Sequence, residues 1–374
     1  MAGIYLHIPF CKQACTYCNF HFTTSLRYKD DLVNALAGEA EAEKGYLNGE
    51  IVHTLYFGGG TPSLLAVADL GLLISALKEH YPLAPDAEIT LEANPDDVTK
   101  ENVRQWKGLG INRLSIGIQS FFEEELRWMN RAHNATQAKA CIEASYEAGI
   151  DNLSIDLIYG SPLLTDAMWE QNVKTAIAYN IKHLSCYALT VEEKTPLHKN
   201  ILQHKTLDVD SEKQARQFLQ LMHWLRTVGY EHYEVSNFAK PGFRSRHNSS
   251  YWKGTPYLGL GPSAHSFNGT ERRWNIPNNN VYIKTTNEGS TEREAEVLSL
   301  AQQLNETIMI SLRTMEGIDL NKIQETWGEG ERRRMEAELA KYINHGLVQI
   351  HQQHAQLTDE GMLRADGIAA DLFV

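Results

Sequence analysis

The sequence predicts an α/β chain whose first two thirds form an incomplete (βα) barrel of the TIM type, followed by a C-terminal helical, winged-helix-like domain. Three observations carry this reading. Short β-branched or apolar runs alternate with longer stretches of helix formers whose apolar residues lie three and four apart, and six or seven such units fit into about 240 residues. Several consecutive strands carry polar residues on one face, whereas strands covered by helices on both faces read as continuous apolar runs. After residue 290 the alternation gives way to a compact helical segment.

The strands are expected at Gly3 to Pro9 and then from Val52, Glu88, Asn112, Asp151, His183 and His232. Between them lie helical patterns such as "YKDDLVNALAGEAEAEKGY" and "SEKQARQFLQLMHWLRTVGY". Repeated strand and helix units build parallel sheets, and six or seven of them resemble a barrel more than a doubly wound sheet, two arrangements that element order alone does not separate. Alternation along each strand separates its two faces. Thr90, Glu92 and Asn94 oppose Leu91 and Ala93; Ser115, Gly117 and Gln119 oppose Leu114, Ile116 and Ile118; Ser154 and Asp156 oppose Leu153, Ile155 and Leu157. The apolar faces suit a helix layer, and the polar faces line a lumen that is wet or holds a polar ligand.

The barrel is expected over residues 1–238. Residues 239–290, rich in Gly, Pro, Asn and aromatic residues, read as a connecting segment of functional loops. From residue 291 to 374 the stripe Val297, Leu300, Ala301, Leu304, Ile308 and Leu312 marks an amphipathic helix, and the following helix and hairpin suggest a winged helix. Its use would be packing or partner docking. A formal charge of −12 argues against nonspecific nucleic-acid binding, and Arg332 to Arg334 read as the solvated side of a helix.

No run of eighteen apolar residues occurs and "MAGIYLHIPF" lacks the features of a secretory signal, so a cytoplasmic chain with no integral membrane segment is expected. Five cysteines are too few for a disulfide framework, and three of them crowd into "PFCKQACTYCNF". Cys11, Cys15 and Cys18 fit two inorganic readings. With His21 they would close a zinc site; alone they would hold an iron–sulfur cluster with one iron open to substrate. Cys141 and Cys186 read as small buried hydrophobes.

"CKQACTYC" after "YLHIPF" resembles the cluster loop of radical S-adenosylmethionine (SAM) enzymes. "GGGTP", "EANP", "GIQSF", "NR" and "DLIYGSP" follow in that family's order, each near the end of an expected strand or in the helix beyond. The set is similar to the oxygen-independent coproporphyrinogen III oxidase branch over at least residues 3 to 165. The resemblance implies a radical SAM barrel with a [4Fe-4S] cluster on Cys11, Cys15 and Cys18 and SAM at the open iron. Contacts to SAM would come from Tyr5, Tyr17, Gly59, Gly60, Thr61, Pro62, Glu92, Gln119, Arg131 and Asp156. Glycines 58 to 60 would let backbone approach the ligand, Glu92 and Asp156 would accept from its amine and hydroxyl groups, and Arg131 would pair with its carboxylate.

Two features depart from the oxidases. Phe20 stands where they carry a further cysteine, and Cys11 lies too early for their N-terminal extension. "HNSSYW", His247 to Trp252, is similar to the signature of the heme chaperone branch. That resemblance implies heme as cargo, His247 as its ligand in a flexible aromatic loop, and His265 as a secondary candidate. The implied partners are heme, a heme-acceptor protein of the respiratory kind and an electron donor. The catalytic residues stay unassigned. The competing reading is a radical SAM oxidase or decarboxylase acting on a porphyrinogen.

Overall fold

The computed structural model describes residues 2–374. Six parallel strands stand side by side in chain order: β1 (Ala2–Ile8), β2 (Val52–Gly59), β3 (Leu83–Ala93), β4 (Arg113–Gln119), β5 (Leu153–Tyr159) and β6 (His183–Ala188). The helices that return the chain between them are α1 (Lys29–Ala42), α2 (Val67–His80), α3 (Lys100–Gly108), α4 (Glu123–Trp128), α5 (Ala135–Glu147) and α6 (Asp166–Ala178). Several begin where the sequence places a capping oxygen. Thr99, Asn134 and Thr165 each accept from the backbone N–H three residues on, which satisfies one of the donors a helix start leaves open. Cys141 on α5 and Cys186 on β6 are each 1% exposed within the apolar core, as expected of small hydrophobes.

The barrel does not close. Beyond β6 the chain passes through α7 (Pro196–Leu202) and α8 (Ser211–Thr227), then forms the antiparallel pair β7 (Glu231–Glu234) and β8 (Asn237–Ala239), with β8 against β6. The single seventh strand expected at "HYEVSNF" is thus two short strands. The cause is local: register shifts between His232 and Glu234, and the Val235 N–H is taken by the Arg313 carbonyl at 2.8 Å, which draws this stretch toward the C-terminal domain.

The opposite edge is extended. After α9 (Arg246–Trp252), β9 (Tyr257–Leu260) pairs parallel to β1, and β10 (His265–Phe267), β11 (Glu271–Asn275) and β12 (Arg293–Val297) continue antiparallel from it. The result is one twelve-stranded sheet, with β12 and β7 at its edges. Much of the segment expected to connect two units therefore belongs to the sheet. Gly259 permits it: a Cβ there would lie 2.0 Å from the His265 carbonyl oxygen, so only glycine lets β9 and β10 approach.

The "HNSSYW" stretch, expected as flexible loop, is the helix α9. Ser245 caps it by accepting from Asn248 N, and the Glu88 carboxylate of β3 accepts from the N–H groups of Arg246 and His247 at 3.1 Å each. The helix is held against the β1–β2 side of the sheet rather than in solvent.

The C-terminal part comprises α10 (Asn279–Asn287), α11 (Leu300–Leu312), β13 (Ile318–Asp319), α12 (Leu320–Trp327), α13 (Glu329–Asn344), β14 (Val348–His351), β15 (His354–Leu357), α14 (Asp359–Met362) and α15 (Ala365–Asp371). From α11 to β15 this is the order of a winged helix, with the small sheet arranged β13-β15-β14. Leu304, Ile308 and Leu312 are buried, but Val297 and Leu300 are exposed, because Val297 ends β12 and the helix starts only after the Ser299 cap. Arg332, Arg333 and Arg334 pair with Glu336, Glu329 and Glu331, so the basic run is neutralised within its own helix. Among the described residues no helix is long and apolar enough to cross a membrane.

Candidate functional site

The loop carrying the cysteines leaves β1 and is clamped from several sides. Thr23 N donates to Pro9 O (2.7 Å) and Cys11 N to Thr23 O (3.0 Å), closing its base. Gln13 Nε2 donates to Asn130 Oδ1 (2.8 Å), Asn130 Nδ2 returns a bond to Ala14 O (2.7 Å), and Thr16 N reaches Met129 O (3.1 Å). Lys12 pairs with Asp96 (2.6 Å) and with Asp97, which also accepts from Ser63 (2.7 Å). A loop this strongly tied presents its side chains in one arrangement.

Cys11, Cys15 and Cys18 all line a cavity of about 410 Å3 at the C-terminal ends of the central strands. Thr61 Oγ1 lies 3.6 Å from Cys11 Sγ and Arg131 Nη1 lies 3.3 Å from Cys15 Sγ. Burial pushes the Cys11 thiol up to about 11 and raises that of Cys18 as well. Thiols in such surroundings become thiolates on binding a cation, as a metal site requires. His21 does not join them: its Nε2 is 2.7 Å from Asn279 Oδ1 and its ring faces other cavities. The fourth ligand of the zinc reading is turned away. Among the described residues no three His, Cys, Asp or Glu side chains close on a single ion.

The same cavity is lined by Tyr17, Gly59, Gly60, Thr61, Glu92, Gln119, Arg131 and Asp156. Tyr56 donates to Glu92 Oε1 (2.7 Å) and Gly59 N to Oε2 (3.2 Å). Burial still pushes this carboxyl up to about 7 and that of Asp156 up to about 6. Two acids with weakened ionisation beside one another favour a cationic ligand, which would restore their charge. Gln119 ends β4 at φ +65°, after a break in register with β5, a backbone region that non-glycine residues occupy at a cost. Arg131 lies just past the end of α4, not within it, after Asn130 at φ +55°. Its Nη2 donates to Asn94 Oδ1 (2.7 Å) and Gly117 O (2.8 Å), while its buried Nε has no partner among the described residues. An unpartnered buried donor in a cavity wall fits an anionic group of a bound ligand.

Three expectations change in detail. Tyr5 lines a second cavity and not this one, with its hydroxyl 3.1 Å from His7 Nδ1. Pro62 is buried as the first residue of a one-turn helix behind the wall. The glycines are also required by their protein neighbours. A Cβ on Gly60 would sit 2.7 Å from Phe10 O, on Gly59 2.7 Å from the His7 ring, and on Gly58 2.9 Å from the rings of Tyr5 and Tyr56. They let the end of β2 lie close against the end of β1 and the loop that leaves it. Asn94, Ser115 and Gly117, expected on the polar inner faces but given no ligand role, line the cavity as well. Tyr187 lines the cavity too, on the face of β6 opposite the buried Cys186, which strand alternation alone could have indicated.

The second cavity, of about 870 Å3, adjoins the first and shares Phe20, Gly59 and Glu92 with it. It opens between the β9–β11 extension and helices α11 and α12. Its walls include Tyr251, Trp252, Tyr257, Phe267 and Trp327, with His265 and the cations Lys253, Arg272 and Lys322. Phe20 is 69% exposed at the junction of the two spaces. His247 is 1% exposed and does not line the cavity. Its Nδ1 is 2.8 Å from Thr54 Oγ1, its Nε2 is 2.8 Å from the Tyr251 hydroxyl, and its ring stacks on Tyr56 at 4.9 Å. Burial lowers its pKa to about 3, which keeps the imidazole neutral.

Residues 5–176 match the Radical SAM superfamily, and residues 298–364 match the HemN C-terminal domain. The chain is 34% identical over 376 residues to the heme chaperone HemW of Mycobacterium tuberculosis (strain H37Rv), covering 99% of this chain and 94% of that one. The chain belongs to the HemW family of radical SAM proteins. HemW of Bacillus subtilis is 31% identical, with 97% of each chain covered, and HemW of Escherichia coli is 37% identical over 269 residues, covering 70% of this chain and 69% of that one. Among solved structures, the coproporphyrinogen III oxidase HemN of Escherichia coli, a radical SAM enzyme, superposes with a TM-score of 0.85 over 100% of this chain and 90% of its own. At 24% identity that likeness is one of fold, and the HemW relatives carry the family assignment.

Proposed function

We propose that this HemW-family chain is a heme chaperone that holds heme in the larger cavity and delivers it to an acceptor protein, with a [4Fe-4S] cluster and SAM in the smaller one. The carrying observation is the pair of adjoining cavities that share Phe20, Gly59 and Glu92. One is lined by thiols and carboxyls, the other by aromatic rings and cations.

Cys11, Cys15 and Cys18 would hold the cluster, which when bound supplies an open iron for SAM and a one-electron centre. Around it, Glu92 and Asp156 take the positive end of SAM, Arg131 its carboxylate, and Gln119, Thr61 and Tyr17 orient the rest. The clamps on the cysteine loop keep that wall fixed. In the larger cavity, Trp252, Tyr257, Phe267 and Trp327 cover a flat macrocycle, as apolar surface and ring stacking favour. Lys253 and Lys322 form no ion pair among the described residues, which leaves two cations for the two propionates of heme. His247 belongs to the heme site through the helix it shares with Tyr251 and Trp252. The chain acts in the cytoplasm with an electron donor, and the first acceptors to test are respiratory heme proteins.

The alternative is a radical SAM oxidase acting on a porphyrinogen. Phe20 favours the chaperone: it places an exposed ring, not a thiol, between cluster cavity and cargo cavity. Anaerobic cluster reconstitution followed by heme titration, then transfer to a heme-free respiratory acceptor, tests the reading. Heme binding with transfer is expected; conversion of coproporphyrinogen to protoporphyrinogen by the same preparation would establish the oxidase instead.

A further inference from the structure

We propose that Tyr251, not His247, is the protein ligand to heme iron, and that His247 is a positioning residue holding the phenol oxygen. The assignment rests on the heme reading above and refines it.

Both residues come from one helix and point the same way, because positions i and i+4 lie one above the other. Tyr251 lines the larger cavity, and His247 lies behind it. The imidazole is confined on every side. Nδ1 is held by Thr54 of β2 at 2.8 Å and Nε2 by the Tyr251 hydroxyl at 2.8 Å; Tyr56 stacks on its face at 4.9 Å and Tyr5 at 6.4 Å. Gly3 of β1 is glycine at the same spot, since a Cβ there would lie 2.7 Å from Thr54 Oγ1 and 3.3 Å from His247 Nδ1. For His247 to reach an iron in the cavity it would break both hydrogen bonds, leave this packing and pass Tyr251. Tyr251 already forms part of the cavity wall. Its ring is braced edge-on by Tyr257 at 4.7 Å and by His247 at 5.1 Å.

Tyrosinate is an established type of axial ligand for heme iron. In the tautomer protonated at Nδ1, which donates to Thr54, Nε2 offers its lone pair to the phenol and sets the direction of the O–H bond. When ferric iron coordinates the phenol oxygen, the O–H bond breaks and the iron–oxygen bond forms. The phenol proton moves to Nε2, whose N–H then donates back to the phenolate, while Nδ1 gives up its own proton by way of the Thr54 hydroxyl to solvent, so the imidazole ends neutral as it began. Iron stays ferric throughout, and no other reactant is consumed.

The test is ferric heme titration of the full-length, cluster-reconstituted chain, followed by absorption and resonance Raman spectroscopy of wild type, Tyr251→Phe, Tyr251→His and His247→Gln. An iron–phenolate vibration is expected in the wild type, a measurement that depends on no variant folding. Tyr251→Phe should abolish it and weaken heme binding by about tenfold or more, a loss of roughly one hydrogen-bonded or ligating contact. Tyr251→His should give an imidazole-ligated spectrum, and His247→Gln should keep the vibration at a shifted frequency. Imidazole ligation in the wild type, unchanged in Tyr251→Phe, would overturn the assignment while leaving the chaperone reading intact. Absence of heme binding by the wild type would remove both.

Discussion

At the scale of single residues, the smaller cavity concentrates features that a stable core would avoid. Gln119 holds a left-handed backbone at φ +65°. Gln119→Gly should therefore leave thermal stability unchanged or raised by about 1 kcal/mol, while lowering SAM affinity measured by calorimetry on the reconstituted chain. Glu92 and Asp156 carry the second signature. Burial raises them to about 7 and about 6, so the folded chain binds their protons more tightly than the unfolded chain does. The sign follows from linkage: without ligand, stability is greatest below the ordinary carboxylate range and falls as pH rises toward about 7. Binding of a cation favours the ionised acids, so SAM affinity should rise with pH through the same interval and level off above it. Glu92→Gln should flatten both curves. An affinity that falls as pH rises would remove Glu92 and Asp156 as the cation's partners.

At the scale of elements, α9 shows how a motif is fitted to its place by residues far away in sequence. Its cap is Ser245, its first amides rest on Glu88 of β3, and its histidine fits over Gly3 of β1. Ser245→Ala should lower stability by about 1 kcal/mol, read as a shift in thermal or urea unfolding. Gly3→Ala should displace Thr54 and His247 and weaken heme binding more than SAM binding, because Gly3 adjoins α9 and is absent from the cluster cavity wall. Equal losses at both sites would mean that the substitution disturbs the barrel as a whole. The loop expectation for this stretch failed because the capping partner Glu88 lies 159 residues from His247 and composition alone favoured turns.

At the scale of the whole molecule, an acidic chain with 47 Asp and Glu against 35 Lys and Arg keeps Lys253 and Lys322 beside the larger of the two cavities without ion pairs among the described residues. Replacing both by Glu should weaken heme binding strongly, with a salt dependence that the wild type and the double variant show in opposite directions. Titration at two ionic strengths measures it. A dimethyl ester of heme, lacking the propionate charges, should bind the wild type and the double variant alike. Lys253 follows the end of α9 and Lys322 lies in α12, elements that share no sheet and no short connection, so their convergence has no counterpart in any local pattern.

Strand-and-helix alternation, the polar inner faces of β3, β4 and β5, and the spacing of Cys11, Cys15 and Cys18 were legible in the sequence because they depend on neighbours two to four positions apart. They determine the partial barrel and the side of it that holds polar chemistry. Glu92, Gln119 and Asp156 stood on that side for the same local reason, Thr61 and Arg131 were named only through the family resemblance, and the structure brings all five around one cavity with the three thiols. Other features depend on contacts between distant segments. These include the splitting of the seventh strand by the Arg313 carbonyl, the continuation of the sheet through β9–β12, the turning away of His21 and the placing of Tyr251 in front of His247. Such contacts are set by packing and hydrogen bonding across the folded chain, which leave no periodic trace in sequence, and so tertiary structure alone decided which side chain of "HNSSYW" faces the cavity.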